Sequence, residues 1–538
     1  MAVYHGKVAQ DGMAYGKVFL MKKHEATTQE EQVVDASQEY QKYQDAKAVA
    51  GQEMDAIYEQ AVKDVGEEGA EIIQVQKMML DDADFEEMIE GAIKNDKKSA
   101  TQAVNEAGKY FHDFFAGLDD PYMQARSSDV ADLAARLGRI IAGGKSNTDL
   151  DEPVVIVTED LLPSELLGMD KDKILAFVTQ KGSLSSHVAI LAKTAGIPAI
   201  MQTDFDLATI KDGDEILVDA YENNVYLQAD EATKKEFVAK KESMDSKEQE
   251  LEALRGMPSE TKSGKKINLC ANIGNVEDAK LAVENDAEGI GLLRSEFLYL
   301  EGSDYPSEDT QFEAYKAVAE VMKDKKVIIR TADIGADKTA DYFKLEPEEN
   351  PALGFRAIRI CFERPEMFKT QLRAIYRASV YGEVAIMFPM ITSLEEVEKC
   401  KQFAADAKQE VIDSGVKCKD VELGIMIETP AAAAMADILA KEVDFFSVGT
   451  NDLQQYTFAV DRQNDKVEYI LNKNHPGLLK LLAMIAKGAN DAGIWAGICG
   501  GLGADVEMTE KFVEMGYKEL SVPPKYILKL REKIRSID

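Results

Sequence analysis

VELGIMIE, residues 421–428, is a short, mostly apolar run that stops at a glutamate. It is short and lacks helical spacing, so it reads as a strand, the kind found in parallel sheets covered by helices. Seven other segments repeat the form: INLCAN (267–272), GIGLL (289–293), KVIIRT (326–331), EVAIMF (383–388), FFSVG (445–449), IWAGIC (494–499) and ELSV (519–522). Helical patterns separate them. Eight such units within residues 263–538 predict a C-terminal (β/α)8 barrel.

Reactive side chains gather where these strands end: Arg294 and Glu296, Arg330 and Asp333, Glu428, Asn451 and Asp452, and Cys499 ahead of Gly500 and Gly501. In a barrel those positions share the C-terminal face, which carries the active site of this fold. Several guanidinium groups on one face suit a substrate with phosphate and carboxylate groups, each of which a planar fork grips with two hydrogen bonds. Glu428 and Asp452 follow successive strands and suit Mg²⁺, which takes a few carboxylates and completes its shell with water and substrate oxygens. Taken singly, a strand-end charge reads equally well as loop solvation. Cys499 alone reads as a core thiol. Their coincidence on one face favours a site.

Upstream of the barrel, residues 231–262 are charged, helical in pattern and end in Gly and Pro, which predicts a linker helix. Before that, VVIV (154–157), ILAFV (174–178), EILVDA (215–220), VYL (225–227) and KVFLM (17–21) read as strands of an α/β domain made from residues 1–27 and 146–230. The intervening residues 28–145 read as an all-helical insert. From Glu31 to Ile140 it holds 24 Asp and Glu against 11 Lys and Arg, a net of −13. Such a surface is either a solvated bundle or a dock for a small basic protein.

Within the α/β segment, KGSLSSHVAILAK (181–193) sets one histidine between a Gly/Ser loop and an apolar helix. Ser185 or Ser186 is placed to cap that helix and Gly196 to end it, with Pro198 beyond. His187 then sits at a positive helix end that suits an anion, a good place for a phosphoryl acceptor. A lone histidine near a cap is more often a plain surface residue; the phosphate-gripping barrel in the same chain shifts the balance.

Composition narrows the classes. The 538-residue chain has a formal charge of −34, which disfavours nucleic acid and anionic membrane surfaces. No stretch approaches the ~20 apolar residues of a membrane span. The N-terminus MAVYHGKVAQDG lacks a basic region followed by a hydrophobic run, so a cytoplasmic location is expected. The five cysteines are scattered and never form CxxC, which argues against a disulfide framework or zinc site.

Seven barrel segments resemble those of Enzyme I of the bacterial phosphotransferase system: GIGLLRSEF (289–297), RTADIGADK (330–338), NPALGFRAIR (350–359), MFPMI (387–391), GIMIETPAAA (424–433), VDFFSVGTNDLQQYTFAVDR (443–462) and GICGGLGAD (497–505). The resemblance covers nearly the whole chain in that family's domain order. It implies that His187 is the phosphorylated residue, that Arg294, Arg330, Arg356 and Arg462 grip phosphoenolpyruvate with Lys338 and Asn451 close by, and that Glu428 and Asp452 bind Mg²⁺. It further implies that Cys499 protonates the enolate to give pyruvate, that the helical insert docks the phosphocarrier HPr, that the barrel dimerises, and that a hinge near 229–262 lets the histidine domain swing. Two positions depart from the family pattern: GGRTSH is here GSLSSH (182–187), and Gly501 stands where CGE would place a glutamate. Two alternatives stay open. Pyruvate phosphate dikinase and phosphoenolpyruvate synthase share these modules but need a nucleotide domain, and no GxxxxGK[ST] loop is present. A partner-binding paralogue without turnover is the other.

Overall fold

The computed structural model describes residues 2–21, 35–118, 121–143, 150–161, 163–182, 187–300, 302–335, 340–462, 464 and 466–538, with backbone alone at 60, 62–72, 121–125, 128, 163, 164, 187, 190, 194 and 468. Two units are present, Met1–Asp245 and Ser246–Asp538.

The first unit is built on an eight-stranded sheet: β1 (Ala2–Tyr4), β2 (Lys7–Gln10), β3 (Met13–Met21), β4 (Val154–Thr158), β5 (Ile174–Thr179), β6 (Ala199–Met201), β7 (Glu215–Asp219) and β8 (Asn224–Leu227), in the order β1-β8-β7-β3-β4-β5-β6-β2. Its centre, β3 to β6, is parallel and its flanks are antiparallel. Alternation along β4 sends Ile156 to one face and Val155 and Val157 to the other, and both faces are covered. The pattern KVFLM captures only the C-terminal half of β3. Strands β1, β2 and β6 escaped it because three- or four-residue strands, in stretches such as HGKVAQ and PAIM, carry too few apolar positions to show a period.

Between the parallel neighbours β3 and β4 the chain makes helices Ala36–Leu80, Ala83–Lys94, Ala100–Ala116 and Pro121–Ile141. Their starts follow from capping chemistry. Asp35 accepts from Ser37 N, Asp82 from Asp84 N and Phe85 N, and Ser99 forms a capping box with Gln102. Ile89, Val104, Leu133 and Leu137 pack in one continuous core with Ile156 and Phe177 of the sheet, so the insert is anchored through its apolar side. A later helix, Glu231–Glu252, follows β8 and stops ten residues short of the expected linker's end.

In the second unit eight parallel strands close into a barrel: β9 (Asn268–Ile273), β10 (Gly289–Arg294), β11 (Lys326–Arg330), β12 (Glu383–Phe388), β13 (Glu422–Ile427), β14 (Phe445–Val448), β15 (Trp495–Ile498) and β16 (Glu519–Val522). Closure runs through β16 and β9, with Leu520 opposite Leu269. All eight expected strands are present. Residues facing outward, such as Ile329, Ile425, Phe446 and Ile498, meet the surrounding helices. Leu292, Ile328, Ala385, Met387, Met426, Phe445 and Cys499 fill the interior. Below, the fully buried Arg531 donates to Ser259 Oγ (3.0 Å) and the Asp286 carbonyl (2.9 Å), tying the last helix to the barrel floor. Among the described residues, no helix is long and apolar enough to cross a membrane.

Candidate active site

Several barrel strands run apolar until the ladder ends and there meet a polar side chain. Arg294 and Arg330 are the last residues of β10 and β11 and lie side by side in register. Glu428 follows β13. Asn451 and Asp452 open the helix Thr450–Phe458 that leaves β14, and Cys499 follows β15. The loop after β11 brings in Asp333, and Arg356 comes from the segment before helix Ile358–Glu363.

These groups form one buried ion network. Arg330 Nη2 pairs with Glu296, and its Nη1 lies 3.1 Å from Asp333 Oδ2. Asp333 Oδ1 accepts from Arg356 Nη2 at 2.9 Å, and Arg356 Nη1 reaches Tyr456 OH (3.1 Å) and Asp452 Oδ1 (3.4 Å). Arg462 Nη1 stands 3.6 Å from Asp452 Oδ2. Burial alone would favour loss of the guanidinium charge, but Glu296 and Asp333 around Arg330, and Asp333 and Asp452 around Arg356, outweigh it and raise both groups. Their Nε atoms are buried and have no hydrogen-bond partner among the described residues, and neither has the Thr331 hydroxyl. Such donors suit an anionic ligand, because a buried N–H left unmade is costly. Arg294 and Asn451 are exposed at the rim, and Asn451 Oδ1 accepts from Gly501 N at 2.9 Å.

The donor set fits a hard divalent cation. Glu428 Oε1 accepts from Met390 N at 2.6 Å. Burial and the Asp452 and Asp333 carboxylates push Glu428 up to about 8, against the pull of Arg330 and Arg356. A nearby cation would relieve that crowding. No group of three or more His, Cys, Asp and Glu fit to hold a metal gathers among the described residues. Two carboxylates suit a hard divalent cation that completes its shell with water and substrate oxygens.

Cys499 lies in the barrel interior just beneath this network. Its Sγ donates to the Val448 carbonyl at 3.4 Å, and burial pushes the thiol up to about 12. It is therefore a neutral S–H at physiological pH, able to give a proton and poorly suited to act as a nucleophile.

Sequence reading placed Arg330, Arg356, Glu428, Asp452, Arg462 and Cys499, and they do converge on one barrel mouth. It missed the scaffold that holds them. Gln371, from helix Pro365–Ala378, accepts from Ala332 N (2.9 Å) and donates to Ser295 Oγ (2.8 Å) and Tyr315 OH (3.0 Å). This fixes the loop bearing Asp333. Lys338 lies outside the described residues, as do Ser185 and Ser186. His187 is the first residue of the helix His187–Ala195 in the other unit. That helix ends in a Schellman motif: Gly196 takes φ +65°, its N–H bonds Lys193 O (3.2 Å), and Ile197 N bonds Ala192 O (3.0 Å).

Residues 248–538 match the family model of the PEP-binding domain of PEP-utilising enzymes, 150–223 that of their mobile domain, and 5–126 that of their N-terminal domain. The phosphoenolpyruvate-protein phosphotransferase of Listeria monocytogenes is 39% identical over 536 residues, 99% of this chain and 94% of that one. The chain belongs to the phosphoenolpyruvate-protein phosphotransferase family. A second member, from Staphylococcus carnosus, matches at 39% with the same coverage. A solution structure of Enzyme I, 33% identical, covers 45% of this chain and 99% of its own, with a TM-score of 0.40. Within this phosphotransferase the PEP-binding match takes in the barrel and its whole ion network, and the mobile-domain match contains His187.

Proposed function

We propose that the chain transfers the phosphoryl group of phosphoenolpyruvate to His187 and then to a histidine of the phosphocarrier HPr, releasing pyruvate, as the first step of sugar uptake by the phosphotransferase system. The observation that carries this reading is the meeting, at one barrel mouth, of buried arginines with unpaired Nε donors, a carboxylate pair and a neutral buried thiol.

Arg330 and Arg356 grip the phosphate and carboxylate of the substrate, with Arg294, Arg462, Lys338 and Asn451 around them. Glu428 and Asp452 would hold Mg²⁺, which when bound supplies positive charge to phosphate oxygens. Neutral His187 attacks phosphorus as the bond to the enol oxygen breaks, so positioning and charge stabilisation do most of the catalysis. The electron pair left on the enolate takes the Cys499 proton at carbon, which makes the methyl group of pyruvate. Residues 1–27 and 146–230 serve as the phosphohistidine domain, and 231–262 as the linker about which it moves between barrel and carrier. The helical insert, residues 28–145, docks HPr. Its negative charge and the exposed Tyr110 and Phe114, one helical turn apart, support that role. The barrel, residues 263–538, forms a homodimer, and the enzyme works in the cytoplasm.

Intact-protein mass spectrometry after mixing with phosphoenolpyruvate and Mg²⁺, without ATP, tests the proposal. One acid-labile phosphoryl group, absent in His187→Ala, is expected. A folded protein that binds phosphoenolpyruvate and gains none would overturn it in favour of a partner-binding paralogue.

A further inference from the structure

A polar row crosses the barrel interior beneath Cys499, and the chemistry above leaves it unused. Ser447 on β14, Gly497 on β15 and Glu519 on β16 are register neighbours: Ser447 opposes Gly497, and Gly497 opposes Glu519. Their strand neighbours Phe446, Val448, Ile498 and Leu520 belong to the outer core, so the row faces inward. Ser447 and Glu519 are 0% and 3% exposed. Ser447 Oγ and Glu519 Oε1 are both buried without a hydrogen-bond partner at normal distance among the described residues.

The middle position makes the arrangement meaningful. A β-carbon on Gly497 would lie 3.0 Å from Glu519 Cβ and 3.2 Å from Glu519 Oε1, and one on Gly291 of β10 would lie 2.6 Å from the same oxygen, so the two missing side chains together leave open the space beside Oε1. Buried polar atoms nearly always have partners. A small polar gap between two that do not is where an ordered water belongs.

The row is connected at both ends. At the upper end, the Ser447 hydroxyl lies near enough to Cys499 Sγ to favour its thiolate, while Arg330 on β11 and Glu428 beyond β13 also act on that sulfur. At the lower end, Glu519 Oε2 accepts from Cys270 Sγ of β9 at 3.4 Å. Lys326 of β11 and Glu422 of β13 act on the Glu519 carboxyl from the N-terminal mouth. Those two are partly exposed and bonded to each other at 2.7 Å.

We propose that Glu519 and Ser447 return a proton to Cys499 after each turnover, bringing it through the barrel from the N-terminal mouth, opposite the substrate face. This rests on the reading of Cys499 as the acid that quenches the enolate. When the Cys499 S–H bond breaks and the substrate C–H bond forms, a thiolate remains. Ser447 gives its hydroxyl proton to that sulfur and takes one from the water in the Gly497 gap. The water takes the proton of the Glu519 carboxylic acid, and the resulting carboxylate regains one from solvent at the mouth. One proton enters for each one that leaves in pyruvate.

Burial pushes Glu519 up to about 7, with Cys270 and Lys326 drawing it down. It therefore exchanges between acid and carboxylate near neutrality, as a relay group must. The route also explains how the thiol can be reset while product still covers the other face. Both residues act through Cys499 and touch no substrate, so they are positioning residues.

The test uses full-length Glu519→Gln, Glu519→Asp and Ser447→Ala with phosphoenolpyruvate, Mg²⁺ and HPr. Rapid-mixing mass spectrometry reads phosphohistidine formation, and steady-state pyruvate release is followed from pH 5.5 to 8.5. Expected results are phosphohistidine formation within about threefold of the unaltered chain, pyruvate release slowed by at least ~10-fold in Glu519→Gln and Ser447→Ala, loss of the near-neutral inflection in Glu519→Gln, and partial recovery in Glu519→Asp. Unchanged pyruvate rates and pH profile alongside normal phosphohistidine would overturn the relay alone. Should Glu519→Gln not fold, Ser447→Ala decides by the same readings. No phosphohistidine in the unaltered chain would overturn the underlying reading and the relay with it.

Discussion

Asp333→Asn isolates what the shared carboxylate does for the barrel mouth. Asp333 is 1% exposed and accepts from Arg330 Nη1 at 3.1 Å and Arg356 Nη2 at 2.9 Å. Asparagine keeps its shape but has one acceptor oxygen, so its amide NH₂ must face one of the two guanidinium forks donor to donor. One charge-assisted bond is lost, about 1.5–3 kcal/mol, and the other falls to the strength of a bond to a neutral acceptor. The sum, about 3–4 kcal/mol, matches the ~3–5 kcal/mol typical of breaking a buried ion pair from one side. At about 2–4 °C per kcal/mol, the barrel transition drops by roughly 6–16 °C. The same change leaves one guanidinium with an unmade Nη donor beside its Nε, so phosphoenolpyruvate should raise the variant's transition at least as much as the parent's. Differential scanning calorimetry of the full chain, with and without phosphoenolpyruvate, reads both effects. A transition within about 1 °C of the parent, or loss of the ligand-induced rise, would refute the view of Asp333 as the spacer that holds two substrate-gripping arginines.

Gln371→Leu removes the acceptor for Ala332 N and the donor to Ser295 and Tyr315; KM for phosphoenolpyruvate should rise several-fold with a smaller change in kcat, as steady-state kinetics would show. Gly500→Ala would set a β-carbon 2.0 Å from Thr450 Oγ1 and 2.4 Å from Thr450 N, whereas one on Gly501 meets only Asn451 Oδ1 at 3.0 Å. Gly500→Ala should therefore cost about 1–3 kcal/mol and perturb the neighbouring Cys499, while Gly501→Glu folds normally; thermal melts separate the two. Glu519 is raised from its unfolded value, 4.5, to about 7, so its protonation favours the native state fully below 4.5 and that contribution is lost as pH rises towards 7. Glu519→Gln should gain melting temperature relative to the parent across that window and hold a constant difference above it.

What the sequence made legible follows from where water is excluded. Barrel strands buried on both faces must be nearly continuous apolar runs, so VELGIMI and EVAIMF announced themselves, and the polar residues that ended runs such as VELGIMI marked the catalytic face. Continuous burial also erases the alternation that would tell which side a residue faces. Nothing in FFSVG or ELSV indicates that Ser447 and Glu519 point into the barrel, or that they lie across a glycine from each other. Gln371 was hidden for the opposite reason: on an amphipathic helix with many charges, a glutamine reads as solvent-facing until the fold buries it. Arg356 sits in a loop away from any strand end, so spacing gave no reason to choose it over Arg359, and only family resemblance did. Strands β1, β2 and β6 were too short to carry a period.

The charges at the mouth explain how so acidic a chain can hold an anion. Arg330, Arg356 and Arg462 face Glu296, Asp333 and Asp452, three cations against three carboxylates, while Glu428, pushed up to about 8, is largely protonated, so the buried network is close to neutral although the chain as a whole carries −34. The two best-buried arginines keep their Nη atoms on internal carboxylates and leave Nε for a ligand. Substrate binding thus adds contacts without first dismantling the network, so little reorganisation is needed. A phosphoenolpyruvate anion entering alone would leave this neutral pocket with uncompensated negative charge in a low-dielectric setting. A divalent cation on Glu428 and Asp452 restores the balance, and the same cation relieves the crowding that lifts Glu428. Metal and substrate should therefore bind with positive coupling, each strengthening the other by the same factor. The acid proposed to complete the reaction stays outside this arithmetic, because Cys499 is uncharged until it gives up a proton.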